Sequence, residues 1–302
     1  DNNAETICLG ALPTALPPFE DVPPSRQKAI LSSWKELVKE STKRAVSRHE
    51  FEDAIVKSLP EGDTKAWLDY PTSILLQKGM HGERMPGAFD LSLNLAPFLG
   101  EDRGARTEHE WETLRTSAER LGEFVLNSRV RRLVRVDAEL RISLATLLGV
   151  SLKAAKGHQL EVNHRGEVWA LHRFEKNPST YFSQERHSGD GPDGVVLIHI
   201  GAATRSDIDG ILAKHMLSSA PRLYLESGSA IPDIGTLNSA VMEAKNALAM
   251  FRSQEQVRTA HLFIKSPSFF AMALGYRLNA VGEIQLYDWI GNEYAPTARL
   301  GT

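Results

Sequence analysis

The spacing of hydrophobic positions changes near residue 86. Upstream, Ser25 is placed to cap an amphipathic stretch, Arg26–Lys43, that brings Ile30, Trp34, Leu37 and Val38 to one face at helical spacing. Ser47, with Glu50 three residues on, has capping-box spacing and predicts a second helix ending before Pro60. Asp63–Tyr70 predicts a third, short helix. Ahead of these, Thr6–Pro13 reads as a short strand leading into a turn through Pro17, Pro18, Pro23 and Pro24. Downstream of residue 86 the pattern alternates between strand and helix, the signature of an α/β fold. Phe89–Leu95 alternates as a strand. A helix at His109–Leu126, a strand at Arg132–Val136 and a helix at Leu140–Leu148 follow, then strands at Gln159–Asn163 and Glu167–Leu171. The polar stretch Glu175–Gly194 reads as a loop between two units. Gly194–Ile200 is apolar throughout, as in a strand buried on both faces. Predicted elements then run helix Arg205–Met216, strand Arg222–Glu226, helix Leu237–Phe251, strand Ala260–Lys265, helix Pro267–Leu278 and strand Glu283–Trp289.

The two units repeat each other. Ser143-Leu-Ala-Thr-Leu-Leu-Gly149 aligns with Phe269-Phe-Ala-Met-Ala-Leu-Gly275, both carrying A-x-x-L-G. Each glycine is expected to end its helix as a C′ residue. Each helix follows a β-rich segment, Leu133–Val136 or Leu262–Ile264, and precedes a strand with a glycine turn and an aromatic. Glu161–Gly166 then Trp169 matches Gln285–Gly291 then Tyr294. Four elements in one order predict a duplicated Rossmann-like fold, with a crevice beyond the carboxyl ends of its strands. The expected divisions are a helical segment over 1–85 and two α/β units over 86–190 and 191–302.

Composition narrows the function. The chain has 302 residues, 42% hydrophobic and 24% charged, with net charge −3. That balance lacks the clustered basic surface of a general DNA or RNA binder, so direct nucleic-acid binding is not expected. One cysteine, Cys8, excludes an internal disulfide and a CxxC metal site and fits a reducing, cytoplasmic setting. The longest apolar stretch, Ile142–Leu152, is too short to span a bilayer, so no membrane association is expected. The chain opens without an initiator Met or a basic leader, which predicts a piece of something longer.

Enzyme signatures are sparse. Neither G-x-G-x-x-G nor G-x-x-x-x-G-K-[ST] occurs, and His49-Glu50 lacks the second histidine of H-E-x-x-H. Pro232-Asp233 followed by Glu243-Ala244-Lys245 has the spacing of a PD…ExK nuclease. That chemistry needs its Glu and Lys on a strand, whereas Leu237, Val241, Ala244, Leu248 and Phe251 recur here with helical period. No metal site, catalytic set or bound cofactor is expected. Ligand binding is better signalled. Four turns lead from strand to helix: Ala96–Arg103, Asp137–Arg141, Gly201–Asp207 and Lys265–Ser268. Such turns offer backbone N–H groups and the positive end of a helix dipole, which suit a phosphate. The candidate ligand-binding residues are Pro97, Phe98, Arg103, Asp137, Arg141, Trp169, Gly201, Ala202, Thr204, Lys265, Ser266 and Ser268. Ser266 before Pro267 has an equally plain use as an N-cap. Trp169 and Tyr287 have faces that suit a purine, and packing within a strand is the other use of such side chains. His199, inside an apolar strand, reads as a core residue.

The stretch His261-Leu-Phe-Ile-Lys-Ser-Pro-Ser-Phe-Phe-Ala-Met-Ala-Leu-Gly275, with Leu286-Tyr287 and Tyr294-Ala-Pro296, resembles the C-terminal end of SAVED domains, whose pattern is HLF, a Pro, A-x-x-L-G and L-Y. Trp111, Ala145–Gly149 and Trp169 are similar to the family's first half, and the resemblance covers about residues 86–302. Asp137-Ala-Glu139 departs from it, since a Pro or His is usual near there. The resemblance implies an α/β fold of two fused CARF-like, Rossmann-like units, here preceded by a small, mainly helical segment. It implies a sensor that binds a cyclic di- or trinucleotide messenger in antiphage defence (CBASS or type III CRISPR) and forms a homo-oligomer on binding. Oligomerisation would activate a fused or partner effector such as a nuclease, NADase or protease. A metal-dependent nuclease or ring nuclease is the alternative.

Overall fold

The computed structural model describes residues 24–40, 48–77, 91–94, 107–128, 132–137, 140–164, 166–173, 180–201 and 205–301. The first elements are helices α1 (Pro24–Glu40), α2 (Arg48–Ser58) and α3 (Glu61–Leu68). They bury Ile30, Trp34, Ile55 and Trp67 in a small cluster of their own. The face through Ile30 and Trp34 is the one that the periodicity marked.

The first sheet contains β1 (Thr72–Gln77), β2 (Leu91–Asn94), β3 (Leu133–Asp137), β4 (Gln159–His164) and β5 (Glu167–Ala170), in the order β2-β1-β3-β4-β5. β1 through β4 are parallel and β5 turns back antiparallel. Helices α4 (Glu108–Ser128) and α5 (Ile142–Ser151) belong to this unit. The second sheet contains β6 (Ser183–His187), β7 (Asp193–Ile200), β8 (Arg222–Ser227), β9 (Thr259–Lys265), β10 (Glu283–Ile290) and β11 (Glu293–Gly301). Its order is β11-β10-β9-β7-β8-β6, with β8, β7, β9 and β10 parallel. Helices α6 (Asp209–Lys214), α7 (Ile234–Gln254) and α8 (Ser268–Arg277) complete it.

Reading β8-β7-β9-β10-β11 against β2-β1-β3-β4-β5 places the sheets in one-to-one correspondence, with β6 an extra edge strand. The strand order reverses between β1 and β3, and again between β7 and β9. In doubly wound sheets ligands bind outside the carboxyl ends of the strands at such points. One hydrophobic core runs through both units, joining Val134, Leu144 and Leu148 to Val196, Leu262, Phe270 and Leu286.

Four sequence expectations change. Gly149 and Gly275 do not end helices: both lie within α5 and α8. A methyl group on Gly149 would collide with the backbone of Met272 and Tyr276, and one on Gly275 with the backbone of Thr146. The glycines let the two helices cross backbone to backbone, and A-x-x-L-G marks that crossing. The stretch 175–194 is not all loop, because β6 pairs antiparallel with β8. Its sequence, Ser-Gln-Glu-Arg-His, is polar and mostly exposed, as suits an edge strand and as defeats a search for alternation. β11 was hidden by Pro296, which a sheet tolerates at an edge. β1 lies upstream of the expected boundary at residue 86, beside β3 in the first sheet. The expected strand at Thr6–Pro13 lies outside the described residues.

Candidate functional site

The carboxyl ends of β3 and β9 bring Asp137 and Lys265 to the two reversal points. Beyond β7, Gly201 has φ +107, a left-handed conformation that glycine adopts without strain, and its N–H donates to the Ser227 carbonyl at 2.8 Å. Ala202 and Thr204, next in that turn, lie outside the described residues, as do Pro97, Phe98 and Arg103. The chain resumes with a 3-10 turn at Arg205–Ile208. Lys265 ties this turn to β9 by an ion pair to Asp207 at 3.0 Å. Arg205 binds Glu226 through two hydrogen bonds of 2.9 and 2.7 Å, pairs with Glu185 at 2.6 Å, and lies over the Tyr224 ring. These bonds hold the Glu226 carboxyl below the usual carboxylate range. Ion pairs thus hold the 3-10 turn at Arg205 and at Asp207.

α8 starts directly after β9. Ser266 does not cap it; its hydroxyl donates to the Pro267 carbonyl at 3.1 Å. Pro267 occupies the N-cap position and gives no side-chain cap to the first turn, which begins with Ser268 and Phe269. Phe269 packs its ring 4.3 Å from His164 and 4.9 Å from Trp169, both from the β4–β5 hairpin of the other unit. Trp169 is 7% exposed and Tyr287 2% exposed, so both act as packing residues here. Tyr287 stacks on Phe263 at 4.2 Å and shares a hydrogen bond of 2.7 Å with His261; burial pushes its phenol up to about 12. The HLF and L-Y motifs are therefore one cluster on neighbouring strands: His261, Phe263 and Tyr287 share a sheet face.

α5 starts differently. Arg141 is its N-cap residue and is half-buried, and the first turn is met by a carboxylate from the second unit. The Ser143 N–H donates to Asp288 Oδ1 at 2.9 Å, and the Ser143 hydroxyl lies 2.6 Å from that of Thr297. Asp288 is 3% exposed, and burial raises its carboxyl above the ordinary value, opposed by the Ser143 bonds and by Arg141.

Several residues of this region escaped the sequence reading. Trp289, at the carboxyl end of β10, is 47% exposed, touches Tyr294 edge-on, and has the Lys265 ammonium 5.8 Å from its ring. It shares a sheet face with Tyr287, and its place at the strand's end was the available signal. His164 and Asp288 also belong here, revealed by contacts between units, and Asp207 by its ion pair to Lys265 within the second unit. The PD…ExK residues do not converge. Asp233 caps α7, accepting from the Thr236 N–H at 2.7 Å. Glu243 accepts from the Tyr181 N–H at 2.8 Å and the Gln184 amide at 3.0 Å, and Lys245 donates to Asn279. Ten residues of helix separate Asp233 from Glu243, about 15 Å of rise, too far to share a metal. Among the described residues no three His, Cys, Asp or Glu side chains gather as a metal site, and no helix is long and apolar enough to cross a membrane.

Fold and topology together describe a duplicated α/β unit whose two sheets each reverse strand order at one point. The family model of the SAVED domain, the SMODS-associated sensor domain fused to various effectors, matches residues 118–300, and the chain belongs to this family. It is 36% identical over 278 residues to CD-NTase-associated protein 4 of an Acinetobacter species, covering 91% of this chain and 58% of that one. The Moraxella osloensis protein of the same name is 34% identical over 302 residues, covering 99% of this chain and 63% of that one. The chain thus spans about three-fifths of the length of these curated relatives. The solved structure of the Acinetobacter baumannii Cap4 SAVED/CARF-domain containing receptor with the cyclic trinucleotide 2′3′3′-cAAA has a TM-score of 0.86 and 34% identity, and the match covers 99% of this chain and 66% of that one.

Proposed function

We propose that this chain is a sensor that binds a cyclic oligonucleotide, of the cyclic trinucleotide kind, across the carboxyl ends of β3, β7, β9 and β10. The observation that carries this reading is the likeness, over nearly the whole chain, to a receptor whose structure holds a cyclic tri-adenylate. The local chemistry agrees. The uncapped first turn of α8 offers the Ser268 and Phe269 amides and a positive dipole end to a phosphate. Lys265 supplies a point charge beside it, and the half-exposed Trp289 offers a face on which a base can stack. Gly201 gives the ligand close approach to backbone. In this reading the messenger favours self-association because it binds the assembled form more tightly. An effector, fused or separate, responds to that assembly in the cytoplasm as part of an antiphage system.

The test is calorimetric titration of cyclic di-, tri- and tetranucleotides, with light scattering on each mixture. One tight trinucleotide accompanied by a rise in mass is the expected result. Trp289→Ala should weaken it about tenfold or more, as loss of one stacked base does, with the melting temperature unchanged. Failure of every cyclic nucleotide to bind, or recovery of the messenger as cleaved product, would overturn the reading.

A further inference from the structure

The two helices that cross at the glycines point their N-termini at opposite units, and the repeat makes these ends equivalent. Ser143 of α5 corresponds to Phe269 of α8, and Asp288 of β10 corresponds to His164 of β4. Their surroundings differ in charge. At α8 the first turn meets aromatic rings and has Lys265 close by in sequence. At α5 the Ser143 amide is already taken by the Asp288 carboxylate at 2.9 Å. Asp288 is 3% exposed, and its second oxygen, Oδ2, is buried with no hydrogen-bond partner among the described residues. A carboxylate left half-satisfied in a buried position is costly, so its neighbours define what else fits there. Arg141, expected from the sequence to grip a phosphate, is the cation that acts on Asp288. A phosphate brought to this end would meet a like charge and an occupied amide.

We propose that Asp288 makes the messenger site one-sided: it holds, in the first turn of α5, the place that a phosphate would take, and leaves anion binding to the α8 end. The proposal rests on the sensor reading above. It makes Asp288 a positioning residue that sets which way round an asymmetric ring of phosphates sits.

The experiment titrates 3′3′3′-cAAA and 2′3′3′-cAAA, the ligands of the Acinetobacter receptor structures, into the wild type and Asp288→Asn at two salt concentrations. Asparagine keeps an acceptor for the Ser143 amide and removes the charge. The expected result is binding about three- to tenfold tighter in the variant, the size of one like-charge repulsion relieved, with a steeper loss of affinity in salt. Thermal melting of each protein checks the fold, and Asp288→Ser serves as the second neutral variant if the asparagine protein does not fold. Unchanged affinity in a folded variant overturns the proposal by placing the α5 end outside the site. Weaker binding at an unchanged melting temperature also overturns it, by making the carboxylate an acceptor for the ligand. A wild type that binds neither ring removes the sensor reading itself, which separates the two failures.

Discussion

The two ends of the helix crossing are built from opposite chemistry. At the α5 end a serine, a threonine and a buried aspartate bond to one another. At the α8 end a phenylalanine, a tryptophan and a histidine pack ring against ring. Between them the backbones approach in the same way, through Gly149 on one side and Gly275 on the other. The sheets diverge similarly. Arg135 and Glu161, register partners in the first, form a two-pronged ion pair of 3.0 and 2.8 Å, whereas the positions matching them by the repeat are His261 and Gln285. Duplication kept what backbone geometry demands and let the side chains around it specialise.

The largest expected contrast is between the equivalent residues themselves. Phe269→Ala removes a buried ring and should cost about 3–4 kcal/mol in denaturant unfolding. Ser143→Ala removes one hydroxyl contact and should cost about 1 kcal/mol. Equal losses would show that the two ends do not differ in the way described. The glycines should behave alike instead. Gly149→Ala and Gly275→Ala each force a methyl group into the facing backbone, and each should lower stability by about 2–3 kcal/mol. A cheap substitution at either would break the symmetry of the crossing.

Acid should then separate the units more gently. Burial, aided by Lys156 and Arg132, pushes His158 down to about 4, so the folded chain resists a proton that the unfolded chain accepts near pH 6.5. The stability held by neutral His158 is full above about pH 6.5 and is lost as the pH falls toward 4, by about 2 kcal/mol. Position 158 is matched in the repeat by Gly282, so the second unit has no equivalent. Asp288 runs the other way: its raised folded value means that protonation on acidification relieves the cost of its buried charge. Melting curves from pH 7.5 to 4 should flatten in His158→Leu and steepen in Asp288→Asn. Parallel curves for all three proteins would refute the assignment.

Most of the parallel strands and long helices were legible in the chain, because Gly194–Ile200 is almost wholly apolar, Leu262–Ile264 is apolar, and α7 has a clear helical period. The repeat was legible too, through A-x-x-L-G. Strands β1, β6 and β11 were not. β6 is polar on most of its surface and β11 contains a proline, and edge positions impose neither alternation nor a full ladder. Lys265, Gly201 and Asp137 were singled out because a strand-to-helix turn is a local signal, and the structure places them at or just beyond the carboxyl ends of their strands. Trp169 and Tyr287 drew notice for their rings, and packing put both in the interior, while Trp289 nearby is the exposed aromatic.

From the amino-acid order alone came the α/β class, the duplication and the strand-to-helix turns, since each depends on periodicity or on neighbours a few residues apart. The partners of those turns depend on contacts between residues a hundred or more positions apart, such as Ser143 with Asp288 and Trp169 with Phe269. Tertiary structure also changed what the glycines mean. A glycine near a helix end reads locally as a stop, and only the approach of a second backbone shows that the missing Cβ is what lets two helices touch.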